Sequence, residues 1–230
     1  MKATDIIAEA KEILLGEDAL VEDCRVISPI EESDLLQQII VEMKETMRVN
    51  NLKYLTAPQI GYNYRVFCIC FGESDYCTYV NPMEVMAENL HPIIEKCNSF
   101  PGMEFLHIRP GKVTLQYLTP LGDPKSCDQY GVAAELVDHC IQHLDGGLCS
   151  DIGVEIDELW YKATDEERNE VLLAYTKEVE AATKVVEEAI ENDEELKKIV
   201  DATKFIESVI KGETILSDAP VVDKSANKET

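Results

Sequence analysis

The stretch VDHCIQHLDGG, Val137–Gly147, places two histidines four residues apart on a predicted helix. Residues at i and i+4 project from the same side of an α-helix, so His139 and His143 can both reach one metal ion at about 2.0–2.1 Å. Alone, this spacing is a weak signal, because a buried core histidine beside an exposed one gives the same pattern. The stretch therefore raises the question of whether this helix holds a metal ion.

Before this helix, between Asn51 and Leu118, the sequence pattern changes to short apolar runs that alternate with glycine, proline and asparagine. This pattern is typical of strands and turns. The predicted strands are RVFCICF, CTYVNP, HPIIEKC and KVTLQYL, and the predicted turns or strand ends are GYNY, NP and TPLGDP. Apolar residues spaced three and four apart predict two earlier helices, one from Ser33 to Met47 that faces the core and one within Met1–Leu20.

The chain beyond Ser150 has an almost wholly helical pattern. Thr164 and Glu167 form a predicted capping box before a long helix that breaks near Asn192, and a shorter helix is predicted over Glu194–Lys211. The expected organisation is an N-terminal helical segment (1–22), a metal-binding domain (23–150), an acidic helical extension (151–216) and a disordered tail (217–230).

Charge and composition limit the classes of partner. With 21 basic and 45 acidic residues the formal net charge is −24, which repels phosphate backbones and anionic membrane surfaces. No apolar run approaches the ~20 residues that a membrane-spanning helix needs. The eight cysteines, beside an N-terminus without an uninterrupted apolar region, indicate a reducing compartment. We expect a cytoplasmic protein with no direct contact to nucleic acid or membrane.

Two further segments carry groups that suit a metal centre. EKCNSFPG (Glu95–Gly102) presents Cys97 where a strand gives way to a loop, and this cysteine suits a third ligand as well as a small buried apolar residue. TAPQIGYNYRVFCI (Thr56–Ile69) places Gln59 before a turn. There its side-chain amide can donate to a developing oxyanion, although the same pattern also fits a plain turn beside a strand.

Taken in order, the three segments resemble the signatures of the peptide deformylase family, which run GxGLAAPQ, EGCLS and QHExDHLxG. The first corresponds to LKYLTAPQIG (Leu52–Gly61), the second to EKCNSFPG and the third to DHCIQHLDG (Asp138–Gly146). The resemblance covers roughly Cys24–Ser150, and three ordered motifs rarely agree by chance. It implies an α+β fold with a mixed or antiparallel sheet around a central metal-binding helix.

The resemblance implies a metallohydrolase. Its ligands are Cys97, His139 and His143, and they hold one divalent ion, iron(II) in many members of the family and zinc or nickel in others. A metal-bound hydroxide attacks the formyl carbon of an N-formylmethionyl peptide. The expected activity is therefore removal of the N-formyl group from nascent peptides.

The resemblance also assigns groups around the substrate. Gln59 and the backbone amide of Asn98 correspond to the donors that hold the oxyanion, and Arg109 corresponds to an arginine of the substrate-binding strand. Leu52 and Tyr54 replace the two glycines of the first signature, in a loop whose backbone lines the substrate cleft. The Tyr54 side chain is thus a candidate substrate-binding group that narrows the cleft.

The main departure is Cys140, which stands where the family carries its glutamate acid/base. Three alternatives follow: an inert replacement in a pseudoenzyme, a weaker or different base, or a fourth ligand that closes the metal site. Closure is disfavoured because the residue after His139 points about 100° around the helix from it. A disulfide with Cys97 conflicts with a reducing compartment. Two further departures lie directly before the histidines: Asp138 stands where the family has glutamine, and Gln142 stands where it has aspartate.

Two functions therefore follow from the sequence. The first is a metal-dependent deformylase acting on N-formylated nascent peptides, and the alternative is a catalytically inactive binding protein that keeps the metal site. The acidic helices are candidates for folding back on the domain, for self-association or for a protein partner. Their negative charge excludes docking on ribosomal RNA.

Overall fold

The computed structural model describes residues 9–16, 23–72 and 75–192. The chain divides into two units, Met1–Thr176 and Lys177–Thr230, and the described part of the second is the end of one helix. The helices are α1 (Ser33–Asn50), α2 (Val132–Leu144), α3 (Cys149–Ile152), α4 (Glu158–Lys162) and α5 (Asp165–Asn192). The strands are β1 (Tyr54–Thr56), β2 (Val66–Cys70), β3 (Tyr76–Glu95), β4 (Phe105–Leu118), β5 (Pro124–Tyr130) and β6 (Val154–Glu155).

The sheet is antiparallel, in the order β1-β2-β3-β4-β5, and β6 pairs with β4. The two faces of its strands contribute to different apolar clusters. One cluster contains the inner side of α1, including Leu36, Ile39 and Met43. The other contains the inner side of α2, with Ala134 and Val137. The predicted α+β architecture with a central histidine-bearing helix is confirmed.

The strand prediction was wrong at Asn81-Pro82, which was interpreted as a turn or strand end. β3 runs through this dipeptide as one strand, with a register shift between Val80 and Met83. Proline cannot donate to a strand ladder and is tolerated at such a bulge. The Asn81 side chain stabilises the bulge, because its Oδ1 accepts from the Ile27 amide at 2.9 Å and its Nδ2 donates to the Ile27 carbonyl at 2.8 Å.

The predicted N-terminal helix is wrong where it can be compared, over residues 9–16. Residues 9–15 are neither helix nor strand, and their amides donate to other elements: Lys11 to Thr46 Oγ1 at 2.8 Å and Leu14 to the Gln59 carbonyl at 2.9 Å. Tertiary hydrogen bonds thus replace those that an amphipathic helix would make. Residues 1–8 and 17–22 lie outside the described residues.

The helical prediction beyond Ser150 holds for α3, α4 and α5. The Thr164–Glu167 capping box is confirmed by bonds of 2.7 and 3.2 Å. Val154–Glu155 is an exception, because it pairs with β4. The helix predicted over Glu194–Lys211 and the tail over 217–230 lie outside the described residues, and the expected domain bounds stay predictions. Within the described part of the chain, no helix has the length and apolar character to cross a membrane.

The α1 face makes a testable contribution to stability. Leu36 is fully buried, whereas Val49 on the same helix is 56% exposed. We expect Leu36→Ala to lower the free energy of unfolding by about 2–5 kcal/mol, because it removes buried methyl groups and leaves a cavity. Val49→Ala, the matched control, is expected to change it by less than about 0.5 kcal/mol. Chemical denaturation of both variants measures the difference, and equal losses would contradict the assignment of the buried face.

Candidate metal centre

Four side chains with metal-binding chemistry meet between α2, the end of β3 and the start of α3. They are Cys97, His139, His143 and Cys149, and their ligand atoms all lie within 4.8 Å of one another. All four are buried. The structure thus brings together the three ligands predicted from the sequence and adds Cys149, which the sequence reasoning missed. Thiolate sulfur and imidazole nitrogen are the donors that zinc and related divalent ions prefer in such sites.

The two histidines are oriented by their second ring nitrogens. His143 Nδ1 lies 3.1 Å from the Gly147 carbonyl, and its Nε2 lies 3.2 Å from Cys97 Sγ. His139 Nδ1 lies 3.2 Å from the Glu95 carboxylate. Metal-binding histidines commonly donate one ring N–H to a carbonyl or carboxylate in this way, which directs the other nitrogen at the ion.

The cluster favours a thiolate at Cys97. The neighbouring Cys149 thiol hydrogen-bonds to it, and further bonds from His139 and His143 hold the pKa of Cys97 far below its usual value. The Ser99 amide also donates to Cys97 Sγ at 3.4 Å. A thiolate, rather than a thiol, is the form that ligates a metal.

Gln59 has a defined orientation beside the cluster. It is fully buried, and its Oε1 accepts from the Thr56 amide at 3.0 Å and the Thr56 hydroxyl at 3.1 Å. Its Nε2 therefore faces Ser99 Oγ at 3.2 Å and Cys97 Sγ at 3.9 Å. The amide donor predicted for an oxyanion thus points toward the cluster. Asn98 follows Cys97, and its side chain donates to the Tyr54 carbonyl at 3.2 Å.

Tyr54 covers one of the histidines. Its ring meets His139 edge to face with centroids 4.9 Å apart, and its hydroxyl lies 3.1 Å from His139 Nε2 and 3.0 Å from the Lys96 carbonyl. Tyr54 is only 7% exposed. A side chain in this glycine position of the signature therefore contacts the candidate metal centre itself.

Cys140 lies in a different environment from the four clustered residues. It is fully buried in the apolar cluster that includes Tyr54, Phe67 and Ile69. Burial raises the pKa of its thiol well above the usual value. It is not one of the four clustered donors, and all eight cysteines are free. At neutral pH Cys140 is accordingly a neutral thiol, which is poorly suited to exchange protons with a substrate.

Arg109 was predicted to meet the substrate, and the structure gives it another set of partners. Its guanidinium is 2% exposed and makes two bonds to Glu95, of 2.6 and 3.1 Å. It also donates to Asp138 at 2.6 Å and to Gln142 at 2.7 Å. In this conformation Arg109 positions Glu95 and α2, because its donors are directed at protein acceptors.

The electrostatics of this network produce a testable dependence on pH. Burial, followed by the negative charge of Asp138, raises the pKa of Glu84 from 4.5 to about 8, although Arg109 opposes the shift. Between these values the folded protein holds a proton that the unfolded chain has released, so stability falls as pH rises through this window. In Glu84→Gln this part of the fall is expected to disappear.

Free energies of unfolding measured at several pH values for wild type and Glu84→Gln provide the comparison. The exposed Glu31→Gln is the control, and it is expected to keep the wild-type pH dependence. A Glu84→Gln curve parallel to wild type from pH 4.5 to about 8 would show that Glu84 is not protonated in the folded state.

Comparison with known proteins places residues 11–158 in the family described as polypeptide deformylase. The peptide deformylase of Natranaerobius thermophilus is 33% identical over 114 residues, which are 49% of this chain and 73% of that protein. Peptide deformylase 2 of Clostridium acetobutylicum is 32% identical over 147 residues, 63% of this chain and 96% of that protein. A crystal structure of the class I type b peptide deformylase from Acinetobacter baumannii superposes with a TM-score of 0.59 at 26% identity, covering 63% of this chain and 99% of that one.

Proposed function

The chain belongs to the peptide deformylase family, and on that premise we propose that it removes the N-formyl group from N-formylmethionyl peptides. The observation that carries the proposal is the meeting of Cys97, His139 and His143, which come from two separate motifs of the sequence. Their ligand atoms lie within 4.8 Å of one another. The substrates are formylated nascent peptides, as for the family.

The donor set fits one divalent ion, Zn²⁺ or Fe²⁺, with Ni²⁺ as a further candidate. Imidazole nitrogen and thiolate sulfur suit these ions, whereas Mg²⁺ and Ca²⁺ prefer oxygen. Glu95 and the Gly147 carbonyl orient the two histidines toward the site. When bound, such an ion lowers the pKa of a coordinated water toward ~7 and polarises the formyl carbonyl.

The residues beside the cluster stabilise the charge that develops on the formyl oxygen. Gln59 Nε2 is held toward the site by the two bonds that its Oε1 accepts from Thr56. The backbone N–H of Asn98 is the second proposed donor. A preorganised donor of this kind is worth about 10²–10³-fold in kcat.

Proton transfer is the weak step of the proposed reaction. The thiol at Cys140 is shorter than the family glutamate and is held neutral by burial. As a neutral thiol it cannot take a proton from water, and its raised pKa makes it a weak acid toward the leaving amine. Loss of a positioned acid/base typically costs about 10²–10⁴-fold, so we expect slow turnover.

The cluster is shielded from solvent, and Tyr54 lies against it. The Tyr54 hydroxyl contacts His139 Nε2, and the clustered donors are at most 3% exposed. We propose that the substrate's formyl end displaces this side chain, so Tyr54 controls entry to the site. The reaction is proposed for a reducing, cytoplasmic setting, in which the eight cysteine thiols stay free. Self-association or a protein partner is proposed for the acidic helices, of which α5 is the described example.

The proposed ligand role of Cys97 is tested by metal affinity. We expect Cys97→Ala to weaken binding of Zn²⁺ by more than about tenfold, since even partners outside the coordination sphere are worth about 10–100-fold. Competition with a chelator measures the affinity. The control is Cys68→Ala, which removes an equally buried thiol from β2. An unchanged affinity in Cys97→Ala would show that the ligand assignment is wrong.

The proposed activity is tested by formate release from a formyl-Met peptide, using anaerobically purified, metal-loaded protein. We expect slow release by wild type and a rise of up to about 10²–10⁴-fold in Cys140→Glu, which restores the acid/base. The apolar surroundings of residue 140 raise the pKa of a carboxyl there toward neutrality, which suits proton transfer. Metal content and folding of the variant are checked first. No formate from either protein would favour the binding-protein alternative.

A further inference from the structure

Cys149 lies in the cluster without belonging to any of the three motif segments. Its Sγ is 3.8 Å from His139 Nδ1 and 4.0 Å from His139 Nε2, and the residue is fully buried. We propose that Cys149 Sγ is a fourth protein ligand of the ion, so that two thiolates and two imidazoles surround the metal in the resting protein. The four donor atoms already lie within 4.8 Å of one another.

The backbone around Cys149 holds its thiol in this place. The Cys149 carbonyl accepts from His107 Nε2 at 3.0 Å and from the Gly153 amide at 2.9 Å. A Cβ at Gly153 would lie 2.2 Å from His107 Nε2 and 2.6 Å from the Cys149 carbonyl, so only glycine permits this approach. The start of α3 is therefore packed tightly against the buried His107 of β4.

The Cys149 thiol also contacts the carboxylate that orients His139. Its Sγ donates to Glu95 Oε1 at 3.7 Å, and the same carboxylate lies 3.2 Å from His139 Nδ1. A divalent cation bound at the cluster would displace the thiol proton, because a cysteine ligates a metal as its thiolate.

A set of two cysteines and two histidines has a specific consequence for the site. Four protein ligands are typical of closed, structural zinc sites, whereas catalytic sites keep a position open. Cys149 would therefore hold the ion in a resting state and would have to leave it before hydrolysis begins. This regulatory consequence rests on the proposed function, whereas the ligation itself does not.

Cys140 is less well placed than Cys149 to be the fourth ligand. It follows His139 on α2 but lies in the apolar cluster with Phe67 and Ile69, outside the group of four donors. Cys140 and Cys149 are both fully buried free thiols, so they form a matched pair for substitution.

X-ray absorption spectroscopy of the anaerobic, Zn²⁺-loaded full chain counts the sulfur ligands. We expect two sulfurs at ~2.3 Å and two nitrogens at ~2.0–2.1 Å in wild type. Cys149→Ala is expected to lose one sulfur, and Cys140→Ala to keep both. A single sulfur in wild type would overturn the proposal, and this result does not depend on whether Cys149→Ala folds. The proposal would also be overturned if Cys140→Ala lost a sulfur and Cys149→Ala kept both.

Formate release by the same samples separates the ligation from the activity. Faster release by Cys149→Ala than by wild type, together with the loss of one sulfur, would support the regulatory role. Two sulfurs in wild type without formate from either protein would leave the ligation intact and overturn the deformylase function. One sulfur in a wild type that releases formate would overturn the ligation and leave the function intact.

Discussion

The largely buried carboxylate of Glu95 is the group on which the arrangement of the site depends. It contacts His139 Nδ1 at 3.2 Å and pairs with both Nε and a terminal nitrogen of Arg109. Burial opposes its ionisation, but hydrogen bonds from His139 and Arg109 hold the pKa of Glu95 below its usual range. A buried charge of this kind is tolerated only when every partner is in place. The network thus links the end of β3, the strand β4 and the helix α2.

Two departures from the family signature are explained by this network. The signature carries an amide before the first histidine and an acid before the second, and here Asp138 and Gln142 exchange those positions. Arg109 donates to both, at 2.6 and 2.7 Å. The guanidinium therefore donates to one carboxylate and one amide at these two positions. The exchange preserves the polar partners that hold α2 in position.

The other departures change the site instead of preserving it. Cys140 places a neutral thiol in apolar surroundings where the family has a carboxylate, and Tyr54 places an aromatic ring against His139 where the family has glycine. Cys149 adds a second thiol to the clustered donors. The protein thus keeps the deformylase fold, and the proposed ligation by Cys149 would give it the donor set of a closed site.

The sequence by itself determined the helices α1 and α2, because their apolar residues repeat at helical spacing, and the identity of three clustered donors, because each lies in a motif. The register of β3 through Asn81-Pro82 and the extended course of residues 9–16 depended on bonds to distant residues, which local patterns do not contain. Cys149 is the clearest case. Its place among the donors follows from the turn after α2 and from the fit of Gly153 against His107, and only the folded chain brings those residues together.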